Sequence, residues 1–386
     1  MTYDAWAVAA PGLEPLLEAE LRALGFADAT SSPGGVSFAC DGAGLARANL
    51  HSRLASRVVV RLAAFRATAF HELERAARKV EWPRMIAPKS GFRLRVTTKK
   101  SRLYHSDAIA QRVAEAVVRA VPSAVPVELK GRDDEGEAIE SADESEVDGV
   151  QLIVVRFEHD RCTISADASG ALLHRRGYRQ AIARAPLRET LAAGMLAAVR
   201  YDASQPLVDP FCGSGTLVIE AAMMARDIAP GLQREFAAET WPESRAEHWR
   251  SVREMARARV KPSAAAPLIG SDRDTGAIAA ATANAARAGV SADVEFVHRA
   301  LSDLAVPAGP GLLIANPPYG VRVGESGPLR DLYARFGQVA RTVCPGWRVA
   351  LLSADRALEG HTGLRFTEAL KTSNGGLAVR VVVATA

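Results

Sequence analysis

The sequence predicts an α/β protein with a Rossmann-like, mostly parallel sheet in its C-terminal half, preceded by smaller α+β units. Two observations lead to this prediction. A short apolar strand, Leu207–Asp209, is followed by a glycine-containing turn and a helical run, and a later apolar run, Leu312–Ala315, stops at Asn316 and two prolines. Strands that alternate with helices build parallel sheets. The length of 386 residues favours two or three domains.

Short strands and helices alternate in the first 65 residues, which indicates a small N-terminal α+β unit. The strand-like residues 5–9 precede a helical segment at 13–24 that ends at Gly25. A second helix at 44–50 and a strand at 57–62 complete the unit. No group of residues with catalytic chemistry occurs in this part of the sequence.

Residues 66–168 predict a second α+β unit with a basic strand. Apolar Phe92, Leu94 and Val96 alternate with polar neighbours, as in a strand with one basic face. Basic and aromatic residues gather where this strand meets the predicted helix 108–121, a geometry suited to an anion. These candidate RNA-binding residues are Lys99, Lys100, Arg102, Tyr104 and His105. A solvated basic face is the alternative interpretation.

Two segments have unusual charge, one within this unit and one directly after it. Residues 133–148 contain nine acidic residues and no basic one, which predicts a disordered loop between strands. Residues 169–186 form a basic linker that includes Arg175, Arg176 and Arg179. Arginine and tyrosine side chains in this linker could contact RNA, or the linker could dock on its own domain through salt bridges.

The turn after Leu207–Asp209 predicts a ligand-binding loop. Gly213 and Gly215 let the backbone approach a ligand closely. No Lys-Ser/Thr pair follows the glycines and no third glycine completes a dinucleotide motif, so phosphate cradling is disfavoured. Asp209 at the strand end suits a cationic or hydroxyl-bearing ligand better than a pyrophosphate.

The Asn-Pro-Pro-Tyr sequence at 316–319 predicts a rigid turn at the carboxyl end of a buried strand, the edge where ligands bind in open α/β sheets. Its chemistry suits an exocyclic amine on a planar ring. The Asn316 side-chain oxygen and the Pro317 carbonyl could accept the two amine hydrogens and direct the nitrogen lone pair at an electrophile. Tyr319 could stack on the ring. An ordinary turn is the alternative.

These two stretches, in this order, resemble the motifs of class I S-adenosylmethionine-dependent methyltransferases that act on amines. The resemblance implies that residues 209–216, here the donor loop, wrap S-adenosylmethionine, and that residues 316–319, here the acceptor loop, present the amine. It implies that Asp272, at the end of the next strand, binds the donor ribose. Asp303 is a weak candidate for the adenine contact, because the acid expected nearer the third strand is missing. The cofactor-binding candidates are Asp209, Phe211, Cys212, Gly213, Gly215, Thr216, Asp272 and Asp303.

Residues 66–168 resemble the THUMP domain, an RNA-binding module, and residues 1–65 resemble its usual ferredoxin-like companion. The whole chain is similar to bacterial THUMP-containing guanosine-N2 methyltransferases of large-subunit (23S) ribosomal RNA, with a transfer-RNA group closely similar. The implied domains are 1–65, 66–168, a linker at 169–186, and a catalytic domain at 187–386. The catalytic sheet is expected to have seven strands, mostly parallel, with a terminal antiparallel hairpin around Asn374-Gly375.

Composition is compatible with this assignment. The net charge is +4, and residues 1–132 carry 20 Lys/Arg against 12 Asp/Glu, as expected for a polyanion partner. Four scattered cysteines fit a reducing cytoplasm, and we expect no metal and no membrane span. DNA adenine or protein glutamine methylation, and a non-catalytic RNA-binding or assembly role, are the alternatives.

Overall fold

The computed structural model describes residues 2–127, 149–180, 187–319 and 326–386. The predicted acidic loop at 133–148 lies outside these residues. The described chain divides into two compact units. The first consists of described residues within Met1–Ala9, Leu17–Leu173 and Arg234–Glu254, and the second of those within Ala10–Leu16, His174–Gln233 and Met255–Ala386.

The first unit contains one eight-stranded sheet. Its strands are β1 (Tyr3–Val8), β2 (Thr30–Ser32), β3 (Gly35–Cys40), β4 (Arg57–Arg66), β5 (Gly91–Lys99), β6 (Val125–Pro126), β7 (Val150–Glu158) and β8 (Arg161–Asp167). The helices that begin within the first 120 residues are α1 (Glu14–Ala23), α2 (Gly42–His51), α3 (Phe70–Ala77) and α4 (Ser106–Ala120). The strand order is β2-β3-β1-β4-β8-β7-β5-β6.

Antiparallel pairing of β4 with β8 makes this sheet continuous across the two predicted α+β units. Joining two sheets at their edges satisfies backbone groups that each edge strand would otherwise leave unpaired. Arg57 of β4 also forms a buried ion pair with Asp167 of β8. The sequence predicted both sets of strands but not that they share one sheet.

The second unit contains the predicted seven-stranded sheet. Its strands are β9 (Leu207–Asp209), β10 (Leu268–Asp272), β11 (Val294–His298), β12 (Leu312–Ala315), β13 (Arg348–Ser353), β14 (Thr367–Asn374) and β15 (Leu377–Thr385). The strand order is β11-β10-β9-β12-β13-β15-β14. Strands β9 to β13 pair in parallel and β15 pairs antiparallel with β13 and β14, so the mostly parallel sheet with a terminal hairpin is confirmed.

The remaining helices are α5 (Glu189–Ala198), α6 (Thr216–Ala225), α7 (Ala246–Ala258), α8 (Thr275–Ala288), α9 (Ser326–Val343) and α10 (Arg356–His361). Helix α6 is apolar on nearly all sides and is buried, as an all-round apolar helix should be. Helix α9 was not predicted, although Tyr333, Phe336 and Ala340 recur at helical spacing. These residues pack with Leu313 and Val349 in the core of this unit.

Residues 226–262 are an insertion between β9 and β10, and they contain the 3-10 turn Ala237–Thr240 and helix α7. Residues 234–254 of this insertion belong to the first unit rather than to the second. Trp241 shows why: its indole N–H donates to the Gln151 side chain at 2.7 Å, and its ring contacts Tyr3 edge-on. Within the described ranges, none of the helices has the length and apolarity that a bilayer crossing requires.

Candidate active site

Three neighbouring parallel strands bring the predicted site residues to one edge of the second sheet. Asp272 ends β10 and Asp209 ends β9, while Asn316 directly follows β12, and these strands are adjacent in the order β10-β9-β12. The carboxyl edge at such a point of strand reversal is where open α/β sheets bind ligands. The strands therefore place the donor loop beside the acceptor loop.

The donor loop needs glycine at position 215 for two separate reasons. Gly215 has φ +85° and caps helix α6 in the left-handed conformation. A Cβ at this position would lie 2.8 Å from Cζ of Phe296 and 3.0 Å from Cβ of Ala281. Gly213 also has positive φ, +51°, but a Cβ there would meet nothing within 4 Å. The backbone of the loop is thus packed tightly on one side and open at Gly213.

The Asp272 carboxylate holds the donor loop in shape. One oxygen accepts a hydrogen bond from the Gly213 N–H at 3.0 Å, and the other accepts one from the Asp274 N–H at 3.0 Å. A carboxylate oxygen can accept a further hydrogen bond, so acceptor capacity remains for ligand hydroxyls. Asp274 caps helix α8 by accepting from the Gly276 N–H at 2.7 Å.

Asp209 is only 1% exposed, and its carboxylate accepts a hydrogen bond from the Phe211 N–H at 3.0 Å. The pKa of Asp209 is raised to about 8, mainly by burial and to a smaller extent by the nearby Asp272 charge, while the hydrogen bond from Phe211 acts in the opposite direction. Burial also raises the pKa of the Cys212 thiol well above its ordinary range. A buried thiol with a raised pKa is a packing residue rather than a nucleophile.

The raised pKa of Asp209 predicts a pH-dependent stability. The folded chain retains a proton on Asp209 that the unfolded chain releases near pH 4. The contribution of Asp209 to the free energy of unfolding is therefore greatest at acidic pH. It declines by about 1.4 kcal/mol per pH unit as the pH rises towards 8. We expect urea unfolding between pH 5 and 7 to show this slope as a difference between wild type and Asp209→Asn. The exposed Asp331→Asn is the control, and equal slopes in all three proteins would contradict the prediction.

The acceptor loop contains an unsatisfied acceptor. The Asn316 Oδ1 atom is inaccessible to solvent and has no hydrogen-bond partner among the described residues. Pro317 is buried, and neither Pro317 nor Pro318 has an N–H that could fold back onto this oxygen. Leaving a buried acceptor unpaired costs about 1–3 kcal/mol. An amine N–H from a bound ligand would satisfy it.

Tyr319 is half-buried and is held by a residue that sequence reasoning missed. The Asn374 amide donates a hydrogen bond to the Tyr319 hydroxyl at 2.7 Å. Burial raises the pKa of Tyr319, and this hydrogen bond offsets part of the increase. The sequence identified Asn374 only as part of the turn between β14 and β15. The tertiary fold brings that turn to the acceptor loop.

A buried polar network on helix α8 also supports the donor loop. Asn284 is fully buried and donates to the Ser214 carbonyl at 3.0 Å, while Arg287 donates to the Asn284 side-chain oxygen. Arg287 also donates to the Tyr178 carbonyl at 2.6 Å, and the Tyr178 hydroxyl donates to Glu220 at 3.1 Å. The signal in the sequence that could have indicated this network is the single asparagine in the alanine-rich stretch 275–288.

Replacing Asn284 by alanine is expected to lower the free energy of unfolding by about 1–3 kcal/mol, because the Ser214 carbonyl loses its buried donor. Affinity for S-adenosylmethionine should fall severalfold, because the donor loop loses a support. Thr282→Ala, on an exposed position of the same helix, should change stability by less than about 0.5 kcal/mol. Urea unfolding and calorimetric titration measure both quantities, and similar values for the two variants would refute this role of Asn284.

Two linker arginines that were predicted to contact RNA are instead buried in ion pairs. The Arg176 side chain is 1% exposed and pairs with Glu220 at 3.5 Å. Arg179 is 13% exposed, pairs with Glu189 at 3.1 Å and donates to the Leu187 carbonyl. The prediction that these two guanidinium groups contact RNA is therefore wrong, because both are buried in ion pairs. The alternative, in which the linker docks on its own domain, is correct. Arg175 is exposed.

The candidate RNA-binding residues of the first unit are all exposed. They lie in residues 99–105, here the basic loop, which connects β5 to helix α4. Tyr104 is 63% exposed and its ring lies 4.1 Å from that of His105, while Leu103, which precedes both, is buried and anchors the loop. Asp303 is exposed at the end of a 3-10 turn and accepts a weak hydrogen bond from Ser302 at 3.4 Å. No group of three or more potential metal ligands occurs among the residues described.

Comparison with protein families identifies the catalytic unit. Residues 176–382 match the family model described as the RMKL-like methyltransferase domain. The chain belongs to the RMKL-like methyltransferase family. Residues 4–59 match the model of the RlmL ferredoxin-like domain and residues 67–133 match the THUMP domain. The predicted class I methyltransferase fold, with ferredoxin-like and THUMP parts before it, is confirmed.

Individual relatives agree with this family. A Synechocystis protein with a provisional name as an RNA methyltransferase is 34% identical, covering 97% of this chain and 95% of its own length. The ribosomal RNA large subunit methyltransferase K/L of Syntrophotalea carbinolica is 39% identical over 98% of this chain, which spans about half (53%) of that relative. A crystal structure of a provisionally named methyltransferase in complex with SAH superposes with a TM-score of 0.86 at 28% identity, covering 99% of this chain and 98% of that one.

Members of this family take their methyl group from S-adenosylmethionine, as the two sequence motifs predicted. The residues of this site fit that donor in two ways. The donor loop leaves open backbone at Gly213 beside the Asp272 carboxylate, where ribose hydroxyls need acceptors. The Asn316 oxygen, which has no partner among the described residues, is a buried hydrogen-bond acceptor at the same edge of the sheet.

Proposed function

We propose that this methyltransferase modifies the exocyclic N2 amine of a guanosine in RNA, with large-subunit (23S) ribosomal RNA as its substrate. The single observation that carries the proposal is the buried, unpartnered Asn316 oxygen directly after strand β12. The THUMP match, the exposed basic loop and the name of the K/L relative support RNA as the substrate class.

In this proposal the Asn316 oxygen and the Pro317 carbonyl accept the two hydrogens of the amine. These hydrogen bonds hold the nitrogen towards tetrahedral geometry, so that its lone pair leaves conjugation with the ring. Tyr319 stacks on the base after the base has left its helix, and Asn374 fixes the orientation of the Tyr319 ring. S-adenosylmethionine, when bound, supplies the electrophilic methyl group. The amine loses its extra proton after transfer, so no general base is required.

The donor-binding roles are assigned within the same proposal. Asp272 binds the ribose hydroxyls, Asp303 is retained as the candidate for the adenine contact, and the donor loop surrounds the rest of the donor. The proposed donor-loop residues are Asp209, Phe211, Cys212, Gly213, Gly215 and Thr216. The domain boundaries given above, a cytoplasmic location, and RNA contacts by Lys99, Lys100, Arg102, Tyr104, His105 and Arg175 remain predictions.

Incubation of the protein with tritiated S-adenosylmethionine and separately purified, unmodified RNAs tests the proposal. Label on guanosine N2 in ribosomal RNA, formed far more slowly by Asn316→Ala, is the expected result. Label only on transfer RNA would move the substrate while preserving the chemistry. Label only on DNA or on protein glutamine would overturn the RNA assignment. No transfer to any of these, with donor binding intact, would favour a non-catalytic role.

A further inference from the structure

The eight-stranded sheet of the first unit carries a groove that no comparison assigns to a ligand. Its volume is about 420 Å³, within the range of small-molecule binding pockets. The groove is defined here by floor residues Val59 and Val154 and by rim residues Trp6, Arg61, Arg156 and Arg161, and is called the sheet groove. These residues come from β1, β4, β7 and β8, so the groove exists only because β4 pairs with β8.

The alternation of side chains along the strands shows which face of the sheet is open. On β7 and β8, Ile153, Val155 and Ile164 have no exposed area and form the covered face. Their strand neighbours Arg156 and Thr163 point to the other face, where they line the sheet groove. Because successive side chains alternate across a strand, one face is apolar core and the other is a basic platform.

The chemistry of the sheet groove matches a nucleotide. The Arg61 guanidinium lies 4.4 Å from the centroid of the Trp6 ring, so the two form a stacked, cationic, planar surface. Bases in unpaired RNA stack on such aromatic and guanidinium planes. Glu158 is the acidic residue among those lining the groove, and it already pairs with Arg156 at 2.9 Å and Lys99 at 3.2 Å. The rim is therefore positive, which complements a phosphate.

The sheet groove is continuous with the basic loop through the turn between β7 and β8. The Arg102 N–H donates to the Asp160 carboxylate at 2.8 Å, and the His159 N–H donates to the Lys99 carbonyl at 3.1 Å. His159 itself lines the groove. Exposed Tyr104 lies at one end of this path and Trp6 at the other. A single RNA strand that follows the basic loop would thus reach the groove.

We propose that the sheet groove binds one unpaired nucleotide of the RNA substrate, with its base on the Trp6–Arg61 surface and its phosphate at Arg156 and Arg161. The inference rests on the proposed RNA function and adds a recognition site for single-stranded RNA in the first unit. A base in a duplex remains stacked and cannot enter a groove of this kind, whereas an unpaired base can leave its neighbours.

Binding of a fluorescein-labelled, eight-nucleotide single-stranded RNA, followed by anisotropy over a range of salt concentrations, tests the inference. Trp6→Leu should weaken binding about tenfold, as loss of one stacking partner does, with the salt dependence unchanged. Arg156→Ala should weaken binding and reduce the slope of log K against log salt by about one. Arg22→Ala, which removes the same charge from helix α1, is the matched control and should have little effect. A blunt-ended RNA duplex of eight base pairs, which has no unpaired base, should bind all variants alike.

The inference is overturned if Trp6→Leu and Arg156→Ala bind the single strand as tightly as Arg22→Ala, or if both lose binding to the duplex as much as to the single strand. Trp6→Phe retains a ring and should bind within about threefold of wild type, which keeps the test valid if Trp6→Leu is unstable. The two proposals fail separately. If the variants lose single-strand binding but the wild-type protein transfers no methyl group, the proposed function is refuted and the sheet-groove proposal stands. Methyl transfer with an unchanged KM in both variants would refute the sheet groove alone.

Discussion

Replacement of Asn316 by alanine is expected to lower the rate of methyl transfer by about 10²- to 10³-fold, the usual cost of removing one preorganised polar contact to a reacting group. The loss should appear in kcat, because the contact strengthens as the amine nitrogen becomes tetrahedral. The dissociation constant for S-adenosylmethionine should stay within about twofold of the wild-type value. Single-turnover transfer to unmodified RNA, together with calorimetric titration of the donor, measures both quantities.

The same substitution is expected to lower activity without lowering the stability of the fold. Because the Asn316 oxygen is buried without a partner, its removal relieves a desolvation cost rather than breaking a hydrogen bond. Asn316→Ala should therefore unfold at the same urea concentration as wild type or at a higher one. An ordinary structural turn residue would lose stability on truncation, so this measurement separates the two interpretations of the acceptor loop.

Asn316→Asp is the matched variant, since it retains an oxygen at the same position and replaces the amide nitrogen with a second carboxylate oxygen. It should keep more transfer activity than Asn316→Ala. Equal activity of Asn316→Ala and wild type would exclude the amide from the reaction. A large loss of donor affinity in Asn316→Ala would instead assign Asn316 to the donor site.

Replacement of Gly215 by alanine should have the second-largest effect and should act on the donor. Alanine at φ +85° costs about 1–2 kcal/mol. The added Cβ would also lie 2.8 Å from the Phe296 ring, and overpacking of this kind costs about 1–3 kcal/mol. We expect a loss of about 2–5 kcal/mol in the free energy of unfolding and at least a tenfold loss of affinity for S-adenosylmethionine.

Gly289→Ala is a control that measures the cost of a positive φ without a steric clash. Gly289 has φ +73° at the end of helix α8, and a Cβ there would meet nothing within 4 Å. Gly289→Ala should cost about 1–2 kcal/mol and leave donor affinity unchanged. Adding Phe296→Leu to Gly215→Ala should recover part of the lost stability, because the leucine lacks the Cζ atom in the clash. Equal effects of the two glycine substitutions would show that packing against Phe296 is unimportant.

The sequence by itself determined those features that depend on local patterns. Apolar runs that end at Asp209, Asp272 and Asn316 identified three strands of the second sheet and the edge where they end, because strand period and the proline after Asn316 act over a few residues. The order of the two motifs also identified the methyltransferase family.

Only the tertiary structure decided which distant groups meet. Arg176 and Arg179 have the composition of an RNA-binding linker, but carboxylates from helices α5 and α6 bury them in ion pairs. Asn374 reaches Tyr319 across 55 residues, and Asn284 reaches Ser214 across 70. Pairing of β4 with β8 likewise joins the strands of the two predicted α+β units into one sheet and creates the sheet groove. Such contacts depend on side-chain burial and strand order, which no short pattern in the sequence specifies.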